Sequence, residues 1–302
     1  MASPFRALIT GISGFTGCHL ADRLTSAGWQ VFGLTNVQQS DDTQSLVADL
    51  SETDRIAEWI GAVRPTHIVH LAALSHVVGP PLPFYEVNAL GTESLLEAID
   101  QSGVKPSKVL IASSANVYGK VQDTSIREDH PIRPVNHYGV SKAAMELITR
   151  QWFERFPIII ARPFNYTGPG QTGAFLFPKL AGGFFSQLPL LSLGNTHIAR
   201  DLSDVSFVVE AYYRLLVSGA RSEVVNICSG RSITIDEALT LLRDLTGHNP
   251  DIALDPSLVR PNEINTLTGS PERLQELIGP LEPVPPRAIF QRILDDLESA
   301  AK

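Results

Sequence analysis

LITGISGFTGCHL, residues 8–20, runs from an apolar stretch through three glycines spaced three apart, Gly11, Gly14 and Gly17, into a segment that reads as helix. Glycine at such points lets the chain turn tightly and lets its backbone approach a pyrophosphate. The helix that follows offers unpaired N–H groups and the positive end of its dipole. The spacing is GxxGxxG, not the GxGxxG of the common dinucleotide fingerprint. Taken alone it reads equally well as a tight turn. Directly after the first strand of a βαβ pattern, it predicts a nucleotide-binding loop.

That pattern continues through the first half of the chain. RALITG (6–11), WQVFGLT (29–35), SLVADL (45–50), THIVHLAA (66–73), KVLIASS (108–114) and PIIIARPFN (157–165) are candidate strands. They are apolar or β-branched throughout rather than alternating, as strands covered on both faces are. Between them 15–28, 51–63, 86–102 and 138–155 read as helices. The second opens on SETD (51–54), with Ser51 the expected N-cap and an acid three positions on. The alternation predicts an α/β fold, a Rossmann-type doubly wound parallel sheet. After RPFNYTGPGQ (162–171) Gly, Pro and aromatic residues thicken, which predicts a smaller C-terminal substrate-binding lobe. The expected division is 1–165, with a segment near 201–220 returning to it as a long amphipathic helix, and 166–302, with an interleaved boundary.

Bulk composition narrows the function classes. The chain has 302 residues, 19% charged, with a net charge of −8, so nucleic acid is not an expected partner. An anionic substrate must instead be held by locally placed Arg, Lys and backbone N–H groups. The two cysteines, Cys18 and Cys228, form no CxxC, which predicts a reduced, cytoplasmic setting. Cys18, in the first turns of its helix, is expected to be a small buried hydrophobe. No signal pattern and no apolar run of the ~20 residues a membrane span needs is present. No His/Cys/Asp cluster has metal-ligand spacing. His67 and His70 read as hydrogen-bonded core residues, and His76 as a loop residue near substrate.

The chemistry-bearing residues sit at strand ends and on one helix. KVLIASSANVYG (108–119) puts the hydroxyls of Ser113 and Ser114 at the sheet's C-terminal rim. NHYGVSKAAME (136–146) puts Tyr138 and Lys142 one turn apart on a helix. A phenol is a tunable acid, an ammonium beside it lowers its pKa, and a serine hydroxyl orients the oxygen that takes the proton. Asp49, ending the third strand, either accepts from an adenine amino group or caps the next helix. The second strand ends Thr35, Asn36 and Gln38, without the acid that reads a ribose 2′-hydroxyl and without an Arg for a 2′-phosphate. NADP(H) or NAD(H) is therefore the expected cofactor, with a lean toward NADP(H).

Five motifs in order resemble the extended short-chain dehydrogenase/reductase superfamily: the glycine loop, HLAA (70–73), VNALGT (87–92), SSANVYG (113–119) and Tyr138-x-x-x-Lys142. The resemblance implies that Ser114, Tyr138 and Lys142 are the catalytic triad and that Asn88 is the Asn of the NxxGT element. It implies a cofactor site of Gly11, Gly14, Phe15, Thr16, Gly17, Asn36, Asp49, Leu50, Leu71, Ala72 and Ala73 together with Tyr138 and Lys142. In 4,6-dehydratases an acid follows the catalytic Ser or Thr, and in the fucose-forming epimerase-reductases a Cys stands at position 116. Here these positions are Ala115 and Asn116, which leaves hydride chemistry at C4.

The second half is similar to bacterial GDP-4-dehydro-6-deoxy-D-mannose reductases through RPFNYTGPGQ, GNTHIARDLSDV (194–205), VVNICSGRSITI (224–235) and VRPNEINTLTGSPERL (259–274). That implies a GDP-sugar substrate touching Ser75, Asn116 and Asn165, Arg200 on the diphosphate, and Arg260 with Glu263 around the nucleotide. Tyr166 departs from the expected His. The implied reaction is NAD(P)H-dependent reduction of a 4-keto sugar to GDP-D-rhamnose, with a nucleotide-sugar 4-epimerase or a GDP-mannose 4,6-dehydratase-like enzyme as the alternative. A homodimer formed through the helices near 86–102 and 138–155 is the expected assembly.

Overall fold

Leu8 points one way and Ala7 and Ile9 the other, and all three are fully buried, because β1 (Arg6–Thr10) lies between helical layers on both sides. The computed structural model describes residues 5–37, 44–75, 79–121, 123, 125–259 and 264–302. β1 joins β2 (Gln30–Thr35), β3 (Ser45–Val47), β4 (His67–His70), β5 (Lys108–Ala112), β6 (Ile158–Pro163) and β10 (Glu223–Ile227) in a seven-stranded sheet. The order is β10-β6-β5-β4-β1-β2-β3, and every pairing is parallel. The chain runs outward from β1 through β2 and β3, then returns to the other side of β1 as β4. Such a reversal opens a crevice beyond the carboxyl ends of β1 and β4, where open α/β sheets bind ligands.

One face of the sheet is covered by α1 (Phe15–Ser26) and α7 (Val205–Val217), whose Leu20, Leu24, Val208, Tyr212 and Leu215 pack on Ile9, Leu110 and Ile159. The other is covered by α2 (Thr53–Val63), α4 (Gly91–Gln101) and α5 (His137–Arg150), which bring Ile56, Ile60, Leu95, Ile99 and Met145 against Leu8, Ile68, Val109 and Ile111. Each such side chain contributes about 1.5–3 kcal/mol on full burial.

The remaining strands lie apart. β9 (Ala199–Asp204) pairs with β7 (Asn165–Thr167), β11 (Ser232–Thr234) and β13 (Thr266–Leu267), and β8 (Leu190–Leu193) pairs with β12 (Asp251–Leu254). α6 (Leu176–Phe185), α8 (Ile235–Thr246) and α10 (Pro286–Ala300) enclose a separate core of Phe177, Leu180, Phe184, Leu239, Leu242, Phe290 and Ile293. A short α9 (Glu272–Ile278) lies against α7 and β10, and its Leu274 joins the first core.

Several expectations need correction. The sheet has a seventh strand, β10, supplied from the second half of the chain beside β6. Ser51 does not cap α2. Glu52 is the N-cap residue and no side chain caps it; Ser51 instead donates its N–H and hydroxyl to Asp49 Oδ1, while Glu52 accepts the Asp49 N–H. The helix expected over 86–102 starts as α3 (Pro81–Phe84) and a π-helical segment, Tyr85–Leu90, ahead of α4. The helix expected to reach 155 ends at Arg150, after which i→i−3 bonds from Gln151, Trp152 and Phe153 tighten the chain into turns. Cys18 is exposed, since its side chain leaves the α1 face that packs on the sheet. Gln38, His76, Arg260 and Glu263 lie outside the described residues.

The two histidines of β4 are core residues, as expected. His70 bonds Thr10 and Thr92 hydroxyls at 2.7 and 2.9 Å, and burial with the nearby Lys142 charge brings its pKa down to about 3. Among the described residues, no helix is long and apolar enough to cross a membrane.

Candidate active site

The glycine loop sits at the crevice between β1 and β4. Gly11 has φ +69°, and a Cβ there would lie 2.8 Å from the Ala72 backbone nitrogen. A Cβ on Gly17 would lie 2.7 Å from Ile12 Cα. Both residues must be glycine for the loop to close on itself and on the Leu71–Ala73 segment. Gly14 is the N-cap of α1, no side chain caps that end, and its first turn holds no acid. The backbone N–H groups and positive end of α1 therefore meet no side-chain cap and no carboxylate in their first turn, which fits the pyrophosphate of a dinucleotide.

The other expected cofactor residues divide around this cradle. Phe15 and Thr16 form the first turn of α1, and Thr16 bonds the Tyr166 hydroxyl at 2.8 Å while the Phe15 ring stacks near Tyr166 with centroids 6.0 Å apart. Leu71 and Ala72 are held by the Thr10 hydroxyl, which accepts both backbone N–H groups. Ala73 follows them. Asn36 is exposed just past β2. Asp49 is exposed and Leu50 half-buried, Leu50 lying against Gly91. The Ser51 hydroxyl and N–H hold the Asp49 carboxyl below its usual range.

Ser114 is brought to Tyr138 by a close approach of backbones. Ser114 is the N-cap of a 3-10 turn, Ala115–Val117, and its Oγ accepts from Asn116 N and Nδ2 at 3.2 and 3.1 Å. Two donors into that oxygen leave the hydroxyl hydrogen free to be given. On α5, Asn136 caps the helix by accepting the Gly139 N–H at 2.8 Å. Gly139 then packs on the serine turn so tightly that a Cβ would lie 2.7 Å from the Asn116 carbonyl oxygen. This contact sets Tyr138, the residue before, against Ser114.

The Tyr138 phenol is buried, with its ring edge on Phe84 at 6.2 Å between centroids. Burial pushes its pKa up to about 12, a hydrogen bond with Ser114 pulls it down, and Tyr166 raises it. Lys142 donates to the Ala112 carbonyl at 2.7 Å, and burial brings its pKa down to about 8 against the upward pull of Glu146. The expected lowering of the phenol's pKa by Lys142 is thus replaced by a rise through burial, opposed by Ser114. At neutral pH the pair is a protonated phenol and an ammonium.

Asn88, at the start of the NxxGT element, holds the loop after β4. Its side chain accepts from Leu74 N and donates to Leu74 O and to Ser141 Oγ, so it ties that loop to α5. Ser75, one residue further, is exposed, as is Asn165 at the start of β7. Arg200 is half-buried on β9 and donates to the carbonyls of Ala199 and Asn265. Three features were not anticipated from sequence: the Tyr166–Thr16 bridge, the Gly139 contact, and Glu146, which stands four residues past Lys142 at the same spacing that singled out Tyr138.

Residues 8–280 match the family model for GDP-mannose 4,6 dehydratase. The chain belongs to that family. A GDP-6-deoxy-D-talose 4-dehydrogenase of Aggregatibacter actinomycetemcomitans is 33% identical over 91% of each chain. A GDP-6-deoxy-D-mannose reductase of Pseudomonas aeruginosa is 32% identical over 98% of each. Among solved structures, RMD from Pseudomonas aeruginosa, complexed with NADPH, superposes with a TM-score of 0.85 at 32% identity over 98% of both chains. The family model and these relatives thus carry names for dehydration, reduction and dehydrogenation.

Proposed function

We propose that this chain is an NAD(P)H-dependent GDP-sugar 4-ketoreductase that converts GDP-4-dehydro-6-deoxy-D-mannose to GDP-D-rhamnose. The observation that carries the reading is the buried Tyr138 phenol, with Ser114 acting on it at the sheet's carboxyl edge and Ala115 and Asn116 following that serine. A phenol and a serine hydroxyl serve a C4 oxygen. Elimination across C5 and C6 needs a carboxylate at 115 or 116, and neither position has one. The names of the two relatives agree with this, because 6-deoxy-D-talose and 6-deoxy-D-mannose are C4 epimers that share one 4-keto form.

Gly11, Gly14, Gly17, Phe15 and Thr16 would hold the cofactor's pyrophosphate side, Leu71–Ala73 its path across the sheet, and Asn36, Asp49 and Leu50 the adenosine end. Bound reduced cofactor supplies the hydride that reaches the sugar's C4. Tyr138 gives its proton to the oxygen that becomes a hydroxyl, and Ser114 donates to the same oxygen as charge develops on it. Lys142, one turn along α5, would hold the nicotinamide ribose of the bound cofactor and place its ammonium on the cofactor side of the phenol. Arg200, with Arg260 and Glu263, is assigned to the GDP moiety, and Ser75, Asn116 and Asn165 to the sugar. Arg forks suit diphosphate, and in a chain of net charge −8 they must be placed locally.

The chain is read as a cytoplasmic homodimer. Leu90 before α4, and Val140 and Leu147 seven apart on α5, are 59%, 38% and 62% exposed and form an apolar stripe on the outer helical layer.

The test is incubation with GDP-4-dehydro-6-deoxy-D-mannose and NADPH or NADH, with the product identified by proton NMR. Loss of reduced-cofactor absorbance and a D-rhamno coupling pattern at C4 are expected. Sugar inversion without net cofactor turnover, or water loss from GDP-mannose, would replace this reading with the epimerase or the dehydratase.

A further inference from the structure

Behind the serine and the lysine lies a buried ion pair that the reaction outlined above does not use. Glu146 and Arg162 are both almost completely inaccessible. Glu146 Oε2 accepts from Arg162 Nη2 at 2.6 Å, and Oε1 accepts from Arg162 Nε at 2.8 Å and from the Ser113 hydroxyl at 2.6 Å. Arg162 Nη1 donates to the Tyr118 hydroxyl and the Glu128 carbonyl, and Tyr118 in turn donates to Asn226. The network thus ties α5 to the end of β5, to β6 and to β10.

Stability is a weak reason for such a pair. Desolvating two charges offsets most of their attraction, and well-packed apolar residues of similar volume often do as well. Its placement has a more specific consequence. Lys142 and Glu146 are one turn apart on α5. Lys142 holds the Ala112 carbonyl and Glu146 holds the Ser113 hydroxyl. The next residue is Ser114. One helical turn therefore grips two consecutive residues of the strand end that delivers the serine.

The geometry points to Glu146, neutralised by Arg162, as the positioning residue that fixes Ser114 relative to α5 and keeps a negative charge beside the Lys142 ammonium. This deepens the proposed function and rests on Ser114 and Lys142 acting in it. The charged and titratable groups around Lys142 are few. Tyr138 and Glu146 share its helix, His70 faces it from β4, and Arg162 stands behind Glu146 on β6, with Tyr118 and Glu128 beyond. Burial strips Lys142 of solvent, and Glu146 raises its proton affinity against that loss. Arg162 opposes Glu146 in sign, so removing either partner of the pair must move Lys142 in opposite directions.

The test reads Lys142 directly and needs no turnover. The chain has six lysines, and 13Cε-lysine NMR with a Lys142→Arg variant as assignment control follows its titration in the ligand-free protein. Glu146→Gln leaves Arg162 unneutralised, and the Lys142 midpoint is expected to fall by about one pH unit. Arg162→Met leaves Glu146 unneutralised, and the midpoint is expected to rise. Glu146→Asp, which keeps the charge and shortens the reach, serves if the glutamine variant does not fold. It should leave the midpoint near wild type while kcat drops roughly tenfold with cofactor Kd unchanged, because the grip on Ser113 is lost.

A Lys142 midpoint unmoved in Glu146→Gln, or shifted the same way in both single variants, overturns the inference, as does wild-type kcat in Glu146→Asp. If the NMR result holds and the 4-keto sugar is not reduced, the substrate assignment has failed and this charge arrangement stands.

Discussion

Gly139→Ala pits two known effects against each other at one atom. Alanine is favoured over glycine in a helix by about 1 kcal/mol, and Gly139 is in the first turn of α5 with ordinary backbone angles. Against this, the new Cβ would stand 2.7 Å from the Asn116 carbonyl oxygen and 3.0 Å from Pro134 Cβ. A backbone oxygen cannot rotate away, so the helix and the serine turn must part by a few tenths of an ångström, about 0.3 to 0.7 Å on normal contact distances. Overpacking of this kind costs roughly 1–3 kcal/mol, which outweighs the helix gain and leaves a net loss of about 1 kcal/mol. The larger effect is on catalysis, since this contact sets the Tyr138–Ser114 distance. If misplacement by 1 Å costs about 100-fold, an opening of that size costs about 4- to 30-fold in kcat. Steady-state kinetics with the 4-keto sugar, cofactor titration by fluorescence and a thermal melt measure the three quantities. Lower kcat, unchanged cofactor Kd and a slightly lower melting temperature are expected. A variant more stable than wild type with full kcat would refute the claim that this contact positions the pair.

Tyr138→Phe keeps the ring on Phe84 and removes the proton donor. It should bind cofactor normally and lose about 100- to 10,000-fold in kcat, and full turnover would remove Tyr138 from the chemistry. The pH profile follows Lys142. Its pKa in the folded protein is brought down from 10.5 to about 8, so below about 8 the ammonium is present and above it is lost. The kcat/KM of the free enzyme should therefore fall on the alkaline side near pH 8, while the burial penalty on the charged lysine is relieved above that pH and adds no loss of stability there. A profile flat to pH 10 would show that the lysine charge is not required. Leu147→Glu places a charge on the exposed apolar stripe and should give a monomer by light scattering with the fold intact, and a dimer persisting at low micromolar concentration would place the interface elsewhere.

The sheet's first half and its glycine loop were legible because their determinants are local. Unbroken apolar runs mark strands covered on both faces, and the Gly11 and Gly17 positions follow from a turn that only a residue without Cβ can make. Tyr138 and Lys142 were legible by helical spacing. β10 was not, since VVNI is short, follows a long excursion, and gains its strand character from pairing with β6 some sixty residues earlier. Ser51 was misread because Asp49 competes for its hydroxyl. The phenol's pKa was misread because spacing places Lys142 beside Tyr138 but does not say where its ammonium turns, and here it turns to the Ala112 carbonyl. The partnership of Glu146 with Arg162 joins a helix to a strand across sixteen residues and leaves no local pattern to read.

The placement of β10 also bears on how the chain is made. Synthesis proceeds at roughly 5–20 residues per second, and the stretch between the end of β6 at Pro163 and the end of β10 at Ile227 therefore takes about 3–13 s to emerge. Throughout that interval β6, an entirely buried run of IIIARP in the finished protein, has an unpaired apolar edge, and until α7 is made α1 alone of that helix pair is present to cover its face of the sheet. Nascent chains stalled between these points should be the ones that chaperones capture and that associate with one another. A translational pause placed after residue 227 should help folding, and one placed before it should hurt.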